Sequence, residues 1–175
     1  NFAGATQRIY ARFSMVLQGT GPGTINVFLG NGNRYDDPNN QTYNNAQNAV
    51  GLRWVVDAAG NVTAQYHNGA WVALPSAGFQ LGQKYEIEIY GNNTGFFIWP
   101  TEANYDRNGT NYTVSGASFQ LWINNAQTGV LTGSGIGLNT TVDSLMFLGE
   151  NCADATDPIS IAIDDLTYSS DFQTA

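Results

Sequence analysis

Strict two-residue alternation of apolar and polar side chains is the property of this chain that most limits what it can become. In residues 118–124, Phe119, Leu121 and Ile123 fall on one face and Ser118, Gln120 and Trp122 on the other. That period marks a β-strand with one face in a core. Residues 7–17 repeat it, with Ile9, Ala11, Phe13, Met15 and Leu17 set against Arg8, Tyr10, Arg12 and Ser14. Ile25, Val27 and Leu29, then Val50, Leu52, Trp54 and Val56, then Tyr85, Ile87 and Ile89 continue the pattern. Nowhere do apolar residues recur at helical spacing over several turns, so no long helix is expected.

Turn-forming residues punctuate these segments. Residues 19–23 join Gly and Pro, which break both ladders and helices. Asn68-Gly69 is a hairpin signal, because both central residues of a type I′ turn need positive φ. Residues 30–46, 100–111 and the acidic stretch holding Asp154 and Asp157 read as long polar loops. At Asp164-Asp165 the parity slips from Ile159, Ile161 and Ile163 to Leu166 and Tyr168, which predicts a β-bulge. About ten short strands without helical interruption predict an all-β, two-sheet antiparallel β-sandwich. No linker divides residues 1–175, which read as one domain. The sequence opens at Asn1 without an initiator Met, which predicts a segment excised from something longer.

The net charge of −8, with Lys84 the only lysine, argues against nucleic acid, whose binding needs clustered cations. No apolar run approaches the roughly 20 residues of a spanning helix, so membrane insertion is not expected. The single Cys152 forbids an intramolecular disulfide. An acidic, lysine-poor, Asn-rich chain suits an extracellular or cell-surface location.

Residues 84–90 (KYEIEIY), 119–124 (FQLWIN), 142–149 (VDSLMFLG) and 161–168 (IAIDDLTY) together resemble the concanavalin A-like, or laminin G-like, jelly rolls of bacterial extracellular carbohydrate-binding and adhesin proteins. The resemblance implies two stacked, curved sheets and glycan binding on the concave face or loop rim. It also implies a structural calcium near the closing Asp-Asp, with Asp157, Asp164 and Asp165 as ligands; hard oxygen donors of this kind suit the ion. Such domains begin with further strands upstream of the position matched by Asn1. Without them a sheet edge stands open to another chain.

Catalysis is not expected. Glu86 and Glu88 share an outward face about 6.6–6.8 Å apart, but the third acid of the strand-borne glycosidase pattern is missing, Gly91 standing in its place and Tyr90 in the position before it. His67, the only histidine, reads as a surface residue flanking its turn. Lyases of this fold carry a Tyr/His/Arg/Gln cluster on one sheet, which a tyrosine with Arg8, Arg12 or Arg53 would imitate, yet no motif declares it.

Sugar recognition needs flat apolar faces beside amides and carboxylates. Trp54 belongs with the core. Trp122 points outward, either as a sugar platform or beneath a covering layer. Trp71 and Trp99 lie beside turns. Tyr35, Asp36, Asp37 and Asn40 in the first long loop and Tyr105 in the second have suitable chemistry. The expected function is a non-catalytic module binding a neutral polysaccharide or glycan within a larger extracellular enzyme or adhesin. The alternative is a self-assembling homo-polymer, a filament or surface-layer subunit completed by strand addition.

Overall fold

The structure, a computed structural model, describes residues 6–32, 47–75, 78–96, 98–133, 135–152 and 156–172. In chain order the strands are β1 (Arg8–Gln18), β2 (Gly23–Gly30), β3 (Asn48–Val56), β4 (Val62–His67), β5 (Trp71–Ala73), β6 (Lys84–Asn92), β7 (Gly95–Phe96), β8 (Trp99–Pro100), β9 (Ala103–Arg107), β10 (Thr110–Val114), β11 (Ser118–Ile123), β12 (Ala126–Thr132), β13 (Ser144–Glu150) and β14 (Ser160–Ser169). They form two five-stranded antiparallel sheets, a first of order β12-β11-β6-β1-β14 and a second of order β13-β2-β3-β4-β5. Two separate hairpins, β7–β8 and β9–β10, complete the set. This is the two-sheet antiparallel sandwich that the alternation predicts, with the jelly-roll form that the resemblance implies.

The core forms where the two inward faces meet. Ile9, Ala11, Phe13, Met15 and Leu17 of β1 are all buried, as are Ile25, Val27 and Leu29 of β2 and Val50, Leu52 and Trp54 of β3. Trp54 meets Phe79 edge-on at 5.6 Å, a preferred aromatic geometry. Full burial of each large apolar side chain contributes roughly 1.5–3 kcal/mol, so the core is what holds the sheets face to face.

The bulge lies where the parity slips. Arg12 pairs with Thr167 and Ser14 with Asp164, so two residues on β14 oppose Phe13 alone. Asp165 there takes φ of 54°, the left-handed conformation that Asp tolerates better than most residues.

Three features differ from the sequence expectation. The stretch 100–111, expected as a loop, instead carries most of a hairpin, β9–β10, turned by Asn108 and Gly109 at φ of 53° and 75°. Those angles are the type I′ turn expected instead at Asn68-Gly69, where only Gly69 takes positive φ, 96°. There three residues separate the paired His67 and Trp71. The third difference is strand β12, joined to β11 by Asn124 and Asn125 at φ of 48° and 66°.

The hairpin β9–β10 packs on the outer face of the first sheet because alternate residues face it. Ala103, Tyr105 and Arg107 are buried, while Asn104 is exposed and Asp106 partly so. Tyr105, Tyr112 and Val114 pack with Tyr10, Tyr90, Trp122 and Phe172 into a second, smaller core. One outer face of the sandwich is thereby closed and the other carries the candidate site.

Candidate functional site

The closed face accounts for two residues expected to touch sugar. Trp122 is only 6% exposed and Tyr105 only 3%. The indole is capped by Tyr112, edge-on at 5.1 Å, and by the Arg107 guanidinium, 4.1 Å from the ring centre. Its Nε1–H donates to the Tyr105 hydroxyl at 2.8 Å, and that hydroxyl donates to Gln120 Oε1. Tyr105 also stacks on Tyr90 with ring centres 3.7 Å apart. Burial pushes the Tyr105 phenol up to about 12. Of the two readings of Trp122, the covered layer is therefore the one observed, and neither ring offers a free face to a ligand.

The acidic pair of β6 is committed to arginines. Arg107 grips the Glu88 carboxylate with Nη2 at 2.7 Å and Nε at 3.2 Å, and both side chains are buried. Glu86 faces Arg12 at 3.4 Å, exposed.

The second sheet places a different set on its outer face. Cross-strand partners share a face, and the register joins Asn26 to Arg53, Arg53 to Gln65, Gln65 to Ala73 and His67 to Trp71. Arg53 Nε donates to Gln65 Oε1, and the Arg53 guanidinium lies 4.3 Å from the centre of the Trp71 ring. His67 meets Trp71 edge-on at 4.9 Å, and Phe28 lies 6.1 Å from it. Asn26 donates to Glu150 Oε2 at 3.0 Å. Trp71, Arg53 and Gln65 are half-buried and Glu150 is exposed, above buried Asn26, Phe28 and His67. Gly51 permits this floor, since a Cβ there would meet His67 Cβ at 2.9 Å and Asn48 Nδ2 at 2.7 Å.

Charge on this face is sparse. Burial lowers the pKa of His67, and the Arg53 cation lowers it further, so the imidazole is neutral near pH 7. Its Nδ1 accepts from the Gly69 N–H at 3.3 Å, which puts the proton on Nε2. Burial also lowers the Arg53 pKa, with Glu150 opposing. Among the described residues Arg8, Arg12 and Arg107 reach a carboxylate at ion-pair distance, and Arg53 does not.

His67 is thus a strand residue on a packed sheet face and not the turn-flanking surface histidine expected. Arg53 and Gln65 were legible as its neighbours only from their parity, opposite to Leu52, Trp54 and Ala64. Trp99 stands apart on β8, 69% exposed. Tyr35, Asp36, Asp37 and Asn40 lie outside the described residues.

The carboxylates proposed for calcium do not converge. Asp157 accepts from the Thr20 hydroxyl beyond the end of β1, whereas Asp164 pairs with Ser14 within it, about 20 Å away along the strand. Asp164 instead accepts from the Asp165 N–H at 2.8 Å. Among the described residues no three His, Cys, Asp or Glu side chains come together as metal ligands do. Nor is any helix there long and apolar enough to cross a membrane.

No family model matches the chain, and neither does any curated protein. Solved structures do. A sialidase superposes on 94% of this chain with a TM-score of 0.55 and 11% identity, and the match spans 13% of the sialidase. A complex of sheep galectin-11 with glycerol covers 94% of this chain and 91% of its own, with a TM-score of 0.48 and 12% identity. A heptameric SAP-like pentraxin from Limulus polyphemus covers 97% and 67%, with a TM-score of 0.49 and 10% identity. The likeness is one of fold. The sialidase match is consistent with the two-sheet, jelly-roll sandwich that the strands of this chain form.

Proposed function

We propose that this chain is a non-catalytic carbohydrate-binding module whose ligand lies across Trp71, Arg53 and Gln65 on the outer face of the second sheet. The observation that carries the reading is the Arg53 guanidinium, held between the Trp71 ring at 4.3 Å and Gln65 with no carboxylate at ion-pair distance among the described residues. An aromatic face beside oriented donors and acceptors suits a sugar ring, whose C–H face is apolar and whose rim is hydroxylic. Arg53 and Glu150 are one charge of each sign and His67 is neutral, which favours a neutral polysaccharide over an acidic one. The match to 13% of a sialidase chain supports a domain riding within a larger glycan-directed protein. The acidic, Asn-rich composition supports an extracellular or cell-surface setting.

Calorimetric titration with cellohexaose, mannohexaose, xylohexaose and laminarihexaose tests the reading. Trp71→Ala and Arg53→Gln should each weaken binding of the accepted sugar at least about tenfold, the equivalent of about 1.4 kcal/mol. Unchanged affinity in both variants, or no binding by any of the four, would remove this face as the site.

A self-assembling subunit remains the competing reading, and its motive is β14, ten residues long at the edge of the first sheet. Against it, the bulge and the adjacent charges of Asp164 and Asp165 interrupt that edge, devices that discourage strand addition. Light scattering decides: a monomer across a wide concentration range rejects the filament.

A further inference from the structure

The hairpin β7–β8 carries the most exposed large apolar side chains among the described residues, with Phe96 at 67%, Ile98 at 78% and Trp99 at 69%. Phe96 and Trp99 are cross-strand partners, so their rings stand on one face of the hairpin. By alternation that face continues to Thr94 and Thr101, whose hydroxyls are 2.8 Å apart. Thr94 then lines an open cleft of about 250 Å³ with Thr6, Gln7, Arg8, Ser170 and Asp171.

The base of this hairpin is held in place. Asn92 Nδ2 donates to the carbonyls of Thr101 and Val114 at 2.8 and 2.9 Å, and Asn92 Oδ1 accepts from the Thr94 hydroxyl at 2.7 Å. Asn139 Oδ1 accepts from the Gly95 N–H at 2.9 Å. These bonds tie the strand ends beneath the aromatic pair to the sandwich, which lowers the entropy cost of binding there. Inside the cleft, Arg8 and Asp171 lie 3.9 Å apart with 43% and 71% of their side chains exposed, so each keeps hydrogen-bonding capacity for a ligand. Gln7 is oriented by donation from Nε2 to the Asn139 carbonyl at 3.0 Å.

We propose that the Phe96–Trp99 face and the Arg8–Asp171 cleft form a second saccharide-binding site, at the rim of the first sheet and separate from the face around Trp71. Its size suits about one sugar ring, below the range of drug-sized pockets. The ring's apolar face would lie on the aromatic pair while its hydroxyls reach Thr94, Arg8 and Asp171. A lipid bilayer would use the apolar tip but not the polar cleft behind it, and the net charge of −8 repels anionic surfaces. The cleft decides for sugar. Two sites on opposite sheets let one module bridge two polysaccharide chains, or two stretches of one chain, with a gain in avidity.

The test is titration of the full chain with the hexasaccharide it accepts among cellohexaose, mannohexaose, xylohexaose and laminarihexaose. The wild type should take up two equivalents. Trp99→Ala should leave one, and Arg8→Gln should weaken that same equivalent at least about tenfold. Both side chains are solvent-exposed, so circular dichroism should be unchanged. Trp71→Ala should remove the other equivalent, and if it changes nothing the face around Trp71 fails while the rim site stands. Two equivalents retained in Trp99→Ala, or no uptake of any hexasaccharide, would overturn the rim site. Loss in Trp99→Ala of co-sedimentation with phosphatidylcholine vesicles, with sugar stoichiometry unaltered, would overturn it in favour of a lipid anchor.

Discussion

Trp122 donates its indole N–H to the Tyr105 hydroxyl at 2.8 Å, and that bond ties the first sheet to the hairpin laid over it. Both groups are buried, and the tyrosine hydroxyl in turn donates a hydrogen bond to Gln120 Oε1. Trp122→Ala should therefore cost about 3–5 kcal/mol of unfolding free energy, the range for a large aromatic removed from a core. Tyr105→Phe should cost about 1–3 kcal/mol, since it strands the indole N–H and the Gln120 oxygen. Urea denaturation measures both. A Trp122→Ala midpoint equal to wild type would show that the hairpin does not depend on this ring.

Glu88 and Arg107 form a buried ion pair with two contacts. Removing one partner leaves a charge without compensation, so Glu88→Gln should destabilise by about 3–5 kcal/mol. Replacing both, as Glu88→Leu with Arg107→Met, should recover most of the loss, because an apolar pair of similar volume avoids the desolvation cost. If the double variant is no more stable than Glu88→Gln, the pair contributes through geometry that apolar packing cannot replace.

His67 gives a pH dependence of predictable sign. Its pKa is lowered from the ordinary 6.5 by burial and by Arg53. The unfolded chain takes up a proton near that value while the folded chain resists. Stability should be constant above about pH 6.5, decline as pH falls toward the folded pKa, and level off below it with respect to this group. As the only histidine, His67 yields one imidazole C2–H resonance in a proton NMR titration. A midpoint at or above 6.5 would contradict the buried, cation-flanked setting.

Gly51 tests the floor of the Trp71 face. Its Cβ would crowd His67 and Asn48 at 2.9 and 2.7 Å. Gly51→Ala should destabilise by about 1–3 kcal/mol through overpacking and weaken saccharide binding at the Trp71 face, leaving the rim site unaltered. Equal loss at both sites would mean that the change acts on the whole sandwich.

Much of the fold was legible because apolar alternation in β1, β2, β3, β6 and β11 reports burial directly. The hairpin β9–β10 was not, because its inward positions include Arg107 and its outward ones Asn104 and Asp106, so the segment looks uniformly polar. Partners on other elements, Glu88 above all, make an inward arginine tolerable. Asn108-Gly109 was a usable turn signal that the polar surroundings masked. For the site, parity placed Trp122 outward correctly, but a residue's parity does not tell what covers it. Arg53, Gln65 and Trp71 come from three strands, and only the register of those strands brings them together.

The same stacking of guanidinium on indole occurs twice, Arg107 on Trp122 and Arg53 on Trp71, at 4.1 and 4.3 Å. The first is roofed by the chain's own hairpin and electrically neutralised by Glu88. The second is only half-buried and has no carboxylate at ion-pair distance among the described residues, Glu150 acting on it from farther off, so water reaches its free N–H groups. Any molecule that displaces that water has to bring oxygen acceptors of its own. The folded chain thus contains its own reference state for the open pair, with the closed one showing how an arginine–tryptophan stack looks when its dehydration is fully compensated.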